Sequence, residues 1–470
     1  MRNFVFSEIM KIRRQLMMTL AQMYEKGTLQ EHLAGIPKML LPGPHGTYRS
    51  SVYHEREVMK QRTKMYLGMD YERSRELELY ELPSLIDDIL GMKSDLVSRD
   101  RFVQVIKEAC DSCPSGRYYA TDLCRNCVAH SCYNACPKKA VEIQNDRAVI
   151  NIDQCIGCGL CAKACSFYAI VKLERPCERS CALQAIAKDA SFAADIDYSR
   201  CVSCGACYVA CPFGATESPS HLLRTLAGIR RGEKIIAIFA PAIVAQFGPK
   251  VTLGQIKNAL KKAGFSDAVA VAAGADEVAE EEAHFLEHAA GTVTTSCCPA
   301  FVDYIGKNQP DFTDRISPAP SPMIALAKHL KTGTGKIAFI GPCIAKKLEA
   351  SKGPFVDYVL TFEELGALFI AKGIEPAAQE DATVEGSRLG WGFAAAGGVT
   401  AAVKELCTRD LRTLRMDGLA EGKETFQTAR QEKFDLIEGM ACAGGCIAGP
   451  GIMVNPKVAA GALKKAGSAT

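Results

Sequence analysis

The chain has 470 residues, a formal net charge of +3 and 23% charged residues, so it is long enough for two or three domains around a sizeable core. So even a charge balance implies neither a nucleic-acid nor an anionic-membrane partner. The 22 cysteines are grouped: none occurs before residue 110 and sixteen fall between 110 and 211, a pattern that favours metal over disulfides in an intracellular chain.

Residues 1–100 form a charged, cysteine-free segment whose pattern predicts helices. Ile9, Ile12, Leu16, Leu20 and Met23 recur at helical spacing, the stripe of an amphipathic helix. Pro37 and Leu41-Pro-Gly-Pro-His-Gly46 interrupt it, and a second charged helix is expected from about Val52 to Leu67. Such a stripe is expected to cap the metal-binding regions, with a partner-docking face as the alternative. Arg13-Arg14 superficially suggests a twin-arginine export signal, but Gln15, Thr19 and Gln22 break the apolar run and no small-residue cleavage site follows. No window offers the roughly 20 apolar residues a membrane span needs, so a cytoplasmic protein is expected.

Residues 101–220 carry most of the cysteines. In order come Cys110 and Cys113; Cys124, Cys127, Cys132 and Cys136-Pro; Cys155, Cys158, Cys161 and Cys165; Cys177 and Cys181; and Cys201, Cys204, Cys207 and Cys211-Pro. CxxCxxCxxxC is the ferredoxin pattern, in which three close thiolates hold one cubane and the fourth reaches another. Zinc sites of four cysteines do not need this triple spacing. Sixteen thiolates suffice for four 4Fe–4S clusters. The crossover rule pairs Cys124, Cys127 and Cys132 with Cys165, and Cys155, Cys158 and Cys161 with Cys136. The remainder then gives Cys201, Cys204 and Cys207 with Cys181, and Cys110, Cys113 and Cys177 with Cys211, one two-cluster unit nested in another. A second pairing joins Cys155–Cys161 to Cys211 and Cys201–Cys207 to Cys165. The insertion holding Cys177 and Cys181 favours nesting, and both pairings make an electron wire.

From residue 221 strands and helices alternate. Strands are expected at Lys234–Phe239, Asp267–Ala272, Thr292–Thr295, Gly335–Ile340, Phe355–Leu360 and Phe434–Ile437. Helices are expected at Leu253–Ala263 and Asp276–His288, and Thr361 with Glu364 forms a capping box that opens another. This alternation implies parallel sheets covered by helices, with a site at the strands' carboxyl ends. Three stretches follow such strands: Thr295-Ser-Cys-Cys298-Pro, Pro342-Cys343-x-x-Lys346-x-x-Glu349 and Glu438-Gly-Met440-Ala-Cys442-x-x-Gly-Cys446. The glycines of the third let the backbone close around a ligand and aim N–H groups at it. Two cysteines cannot complete a four-thiolate site, so the other two stretches supply the rest.

In that order the three stretches resemble the signature loops of the iron–iron hydrogenases, over about residues 220–455. The resemblance implies three regions. Residues 1–100 would be the helical segment, 101–220 an α+β ferredoxin-like region with four 4Fe–4S clusters, and 221–470 an α/β hydrogenase domain with two parallel sheets and the H-cluster in their cleft. It further implies a cubane on Cys298, Cys343, Cys442 and Cys446, with Cys446 bridging to a dinuclear iron subsite that carries carbon monoxide, cyanide and a dithiolate. Lys346 matches the donor to an iron-bound cyanide, Met440 a residue beside the subsite, and Ala240, Pro241 and Ala242 a lining segment. Cys297 matches the free thiol that passes protons to Glu282, with Ser317 as relay hydroxyl. The bland readings are a solvated helix-face acid for Glu282 and an inert buried thiol for Cys297; Cys407 fits no motif and reads as core.

Departures from the better-known members are Gly341 in place of a methionine, Ala300-Phe301 in place of Gly-Trp, Pro450 in the last glycine run, and Phe285 and Ala289 where an acid and an arginine carry the outer proton path. With the long N-terminal segment, the pattern looks like the second group, group B, of the family. The implied activity is 2H⁺ + 2e⁻ ⇌ H₂, with ferredoxin or a similar low-potential electron carrier and hydrogenase maturation proteins as partners. The alternatives are a hydrogen sensor or a Nar-type iron–sulfur assembly factor. A polyferredoxin carrier alone would leave residues 221–470 unexplained.

Overall fold

The computed structural model describes residues 5–469 apart from 115, 290 and 332. Two parallel sheets carry the C-terminal half. The first sets Asp267–Ala270, Ile235–Phe239, Lys336–Ile340 and Tyr358–Leu360 side by side, all parallel. Its central strands read as unbroken apolar runs because helices cover both faces. The second sets Val293–Thr294, Leu436–Met440 and Thr413–Asp417 in parallel. The three cysteine stretches leave the carboxyl ends of Val293–Thr294, Lys336–Ile340 and Leu436–Met440, the end at which α/β sheets bind ligands.

Several element bounds differ from expectation, each for a local reason. The strand expected to Ala272 ends at Ala270, where its pairing with Phe239 ends, and the following helix spans Val271–His288 rather than starting at Asp276. Val271-Ala-Ala-Gly-Ala275 has no alternating pattern to hold it in a sheet, and alanine favours the helix. The strand expected at Phe434–Ile437 instead spans Leu436–Met440 and runs into the third motif, because a partner strand flanks it on each side. The strand expected from Phe355 is only Tyr358–Leu360. The capping box is in place: Glu364 N–H donates to Thr361 Oγ1 at 3.2 Å and Thr361 N–H donates to Glu364 Oε2 at 2.6 Å.

The N-terminal helices do not have a core of their own. Glu8–Lys26, capped by Ser7, lays Ile12, Leu16 and Leu20 into a core shared with Leu226, Ile235, Leu360 and Leu365. A buried ion cluster fixes it. Glu217 Oε1 accepts from Arg13 Nε and from Arg62 Nε, both at 2.9 Å, and Arg14 pairs with Glu363 at 2.9 Å. Arg62 lies on Val52–Tyr66, so both long helices of the segment are tied to one carboxylate.

The cysteine-dense region is one unit inside another. Gln104–Val105 pairs antiparallel with Thr216–Glu217 and closes the outer unit, with the hairpin Ile186–Lys188/Ala194–Ile196 inside it. Arg117–Ala120 pairs antiparallel with Ile170–Leu173 and closes the inner unit, which holds the hairpin Val141–Gln144/Arg147–Ile150. Among the described residues no helix is long and apolar enough to cross a membrane.

Candidate metal centre

In the cysteine-dense region fifteen of the sixteen thiols, all but Cys127, fall into four groups. Burial raises Cys113, followed by Asp111 and the charges of Cys211 and Cys110; burial, Cys211 and Cys110 push Cys177 up to about 11. These four therefore sit together. Burial and then Cys165 and Cys124 raise Cys132, and burial and then Cys155, Cys136 and Cys158 raise Cys161. Burial pushes Cys204 up to about 12, with Cys201 and Cys181 adding to it, and the neighbours of buried Cys207 are Cys204, Cys201, Cys181 and Cys177. A repeated local device aims backbone donors at these sulfurs. In Cys136-x-x-x-Ala140, Cys181-x-x-x-Ala185 and Cys211-x-x-x-Ala215 the alanine N–H donates to the thiol four residues earlier, at 3.2, 3.3 and 3.4 Å. Such donors are what iron–sulfur thiolates use.

The second centre is built from the three strand-end loops. Cys298 precedes the helix Pro299–Asn308, Cys343 precedes Ala345–Ser351, and Cys442 and Cys446 follow Leu436–Met440. Burial raises Cys343, then Cys298 and Cys446; it raises Cys442, then Cys343, Cys298, Cys446 and Cys204. The loops thus bring Cys298, Cys343, Cys442 and Cys446 into one buried group, with Cys204 of the neighbouring region close enough to act on Cys442. Cys446 is pushed up to about 11 by burial and Cys298, with Lys346 opposing. Packed thiols that raise one another resist ionising until a cation joins them, as the iron of a cluster would. Among the described residues no three His, Cys, Asp or Glu side chains converge as on a single metal ion.

Glu282 is not a solvated acid. It is 1% exposed, its Oε1 accepts Ser296 N–H at 3.4 Å, and its Oε2 is buried without a partner. Burial pushes it up to about 7, against the Ser296 and Ser317 donors, with the charge of Glu438 adding to the rise. Cys297 lies next to Ser296 in the chain, and its thiol is raised well above its usual range by burial and then by Glu282. Ser317 is buried; its N–H donates to Thr294 O at 2.8 Å and its Oγ accepts from Ala319 N at 3.3 Å. Lys346 is buried and donates to Glu349 Oε2 at 2.7 Å, Ser321 Oγ at 2.9 Å and Cys297 O at 3.4 Å.

Met440 ends the central strand of the second sheet and is buried in the cluster against which Cys297 and Cys298 pack. Ala240, Pro241 and Ala242 are buried at the end of Ile235–Phe239, and Ala240 N–H donates to Ile340 O at 2.8 Å, joining this segment to the second cysteine loop. A Cβ on Gly341 would lie 2.6 Å from the Phe339 ring, which accounts for the glycine there. Phe285, on the Glu282 helix, is 38% exposed and carries no titratable group. Cys407 packs half-buried with its thiol 3.7 Å from Ala283 O.

Glu438, quoted only as a motif letter, has a role that sequence reasoning missed. It is fully buried, and its carboxylate accepts Gly397 N–H at 2.6 Å and Thr400 N–H at 2.8 Å, capping Gly398–Leu406 from a neighbouring strand. The turn before that helix holds the Cys446 loop: Ala396 N–H donates to Gly444 O at 3.3 Å and Ile447 N–H to Ala394 O at 3.1 Å. Gly445, at φ +86°, has no room for a Cβ, which would fall 2.6 Å from Ala396 N. An acid inside an otherwise apolar strand was the available signal.

Three family models match: "Iron only hydrogenase large subunit, C-terminal domain" over residues 233–450, "4Fe-4S binding domain" over 194–217, and "4Fe-4S dicluster domain" over 116–166. Curated relatives include an NADP-reducing hydrogenase subunit, HndD, of Solidesulfovibrio fructosivorans, 28% identical over 51% of this chain and 53% of its own. Iron hydrogenase 1 of Clostridium pasteurianum is 27% identical over 52% and 54%. The chain thus spans about half the length of these relatives. A solved iron–iron hydrogenase from Chlamydomonas reinhardtii overlaps 52% of this chain and 88% of its own at 20% identity and a TM-score of 0.44. Residues 233–450 are thus similar to the iron-only hydrogenase large-subunit domain, with sequence similar to 4Fe–4S binding domains ahead of them.

Proposed function

We propose that the chain is an iron–iron hydrogenase of the group B type, interconverting protons, electrons and H₂. One observation carries the reading: a buried, half-partnered carboxyl at Glu282 beside the free thiol of Cys297, next to the place where three loops gather four more thiols. The donor set fits the family's H-cluster. Cys298, Cys343, Cys442 and Cys446 would hold its cubane, Cys446 would bridge to the dinuclear subsite, and Lys346, Met440 and Ala240–Ala242 would enclose that subsite. Bound there, the cofactor supplies redox-active iron at which protons and electrons combine.

The chain's own residues carry the proton. The Cys297 thiol stays protonated in its buried setting and can give the proton up to the site. Glu282, poised near neutral pH, restores it, with the Ser317 hydroxyl near the carboxyl. Lys346, pinned by Glu349 and Ser321, holds a fixed positive charge for an anionic ligand. Four accessory clusters in the nested grouping would relay electrons. They run through the Cys181/Cys201/Cys204/Cys207 group, which lies against Cys298 and Cys442.

Infrared spectra of the matured protein should show carbon monoxide and cyanide stretches, and their absence would sink the reading. Cys297→Ala should keep its iron content and lose about 10²–10⁴-fold in hydrogen evolution from a strong artificial reductant. More than half the wild-type rate in that variant would place the proton route elsewhere.

A further inference from the structure

The stretch Cys201–Cys207 carries three thiols of the group whose Cys204 acts on Cys442. The C-terminal half of the chain holds this stretch at two points. One is apolar. Gly205, at φ +76°, has no room for a Cβ, which would fall 2.9 Å from Pro450 Cγ and 3.0 Å from Ile344 Cδ1. Pro450, the interruption in the last glycine run, thus seats the stretch, and Ile344 directly follows Cys343. The other point is polar. Lys307 Nζ donates to Cys201 O at 2.5 Å and to Tyr198 O at 3.1 Å. Lys307 lies in the last turn of Pro299–Asn308, the helix that Cys298 caps. A single helix therefore starts at a thiol of the strand-end loops and ends on the backbone of a thiol in the cysteine-dense region.

The charges around that backbone do not cancel. Arg200 donates to Leu183 O at 2.6 Å and offsets Asp197, whose carboxylate also accepts from Ser199. One turn earlier in the helix, Asp303 is taken by Lys352 at 3.0 Å. Lys307 forms no ion pair among the described residues, and its ammonium rests on carbonyl oxygens. Burial raises the Cys201 thiol; Ser203 N–H and Lys307 oppose the rise, Lys307 by more than Asp197 adds to it. A cluster gains one negative charge on reduction, so a fixed cation beside its thiolates favours the reduced state. Lys307 is exposed, and salt therefore screens part of its effect.

We infer that Lys307 is a positioning residue for electron transfer. It ties the Cys201 loop to the helix that begins at Cys298, and it raises the reduction potential of the cluster on Cys181, Cys201, Cys204 and Cys207. This rests on the cluster reading proposed above. The step it serves moves one electron between that cluster and the one on Cys298, Cys343, Cys442 and Cys446. One is reduced as the other is oxidised, with no bond made and no proton moved. Lys307 biases where the electron rests.

The test is a redox titration of the matured full chain, followed by electron paramagnetic resonance at low and high salt. Lys307→Gln keeps a donor and removes the charge. It should move one cubane couple, the one absent from Cys204→Ala, to lower potential. The expected shift is about three- to tenfold in the ratio of reduced to oxidised cluster, tenfold being about 59 mV for one electron. The other couples and the iron content should not change, and the shift should shrink at high salt. Lys307→Arg keeps the charge and should titrate as the wild type does. Unchanged couples in Lys307→Gln overturn the proposal, as does a shift confined to a different couple. An equal shift in Lys307→Arg also overturns it, because the charge would then have no part. The couple can be titrated without the dinuclear subsite. The expected shift in protein that shows no carbon monoxide or cyanide stretches after maturation therefore supports Lys307 and removes the hydrogenase reading instead.

Discussion

At the scale of single residues, the apoprotein places an unpaid electrostatic cost at Glu282. Its carboxyl is pushed from its ordinary range up to about 7 by burial, so the folded state favours the protonated form more than the unfolded chain does. The sign follows: stability linked to this proton is complete below the unfolded value, and it is lost as pH rises through about 7. The size is on the order of 3 kcal/mol, from a rise of two to three units at about 1.4 kcal/mol each. Glu282→Gln removes the ionisation, so the apoprotein should gain up to that amount at pH 8–9 and nearly nothing at pH 4, read by chemical denaturation. An equal gain at both pH values would mean that the carboxyl is solvated after all. The same variant should lose hydrogen turnover, since an amide cannot pass the proton on.

At the scale of elements, Glu438 joins two pieces of secondary structure that the chain does not join. The acid sits in one strand, and its carboxylate takes two N–H groups at the start of Gly398–Leu406. Glu438→Ala leaves those donors buried and uncapped. A cost of about 1–2 kcal/mol is expected from the cap alone, together with looser seating of Cys446, because the Ala394–Ala396 turn also binds the Gly444–Ile447 backbone. Loss of subsite iron with the accessory clusters intact is the expected result; unchanged subsite occupancy would confine Glu438 to capping. This element also marks where sequence reading stopped. Local signals were legible: Thr361 with Glu364 announces its helix, and the apolar run at Ile235–Phe239 announces a doubly covered strand. The three loops could be placed at strand ends because cysteine and glycine spacing is local. What could not be read depends on partners distant in sequence. Glu438 caps a helix 41 and 38 residues away, and the start of the 271–288 helix depends on where pairing with Phe239 ends. The grouping of Cys110, Cys113 and Cys177 with Cys211 was one of two pairings open in the sequence, and the one that the Cys177–Cys181 insertion favoured; in the structure Cys211 and Cys110 lie near Cys113 and Cys177.

At the scale of the whole molecule, the N-terminal helices are held by charge as well as by apolar contact. Glu217 serves Arg13 and Arg62 together, with Tyr66 OH as a further donor, and all four side chains are buried. Removing the carboxylate leaves two guanidinium groups buried without their counter-charge, a situation that typically costs about 3–5 kcal/mol. Glu217→Ala should therefore lower stability by about that much, and limited proteolysis should release fragments cut within residues 1–100. Retained protease resistance would show that the apolar stripe alone suffices.

That arrangement also bears on how the chain is made. The helix Glu8–Lys26 ends up against Phe362–Ala371, and its Arg14 meets Glu363 across 349 positions of sequence. At ordinary synthesis rates of about 5–20 residues per second, its partner is born roughly 20–70 s later. Through that interval Ile12, Leu16, Met17 and Leu20 lack part of the surface that finally covers them. Glu8–Lys26 is therefore a waiting segment with an apolar stripe, open to chaperones until Phe362–Ala371 has been synthesised.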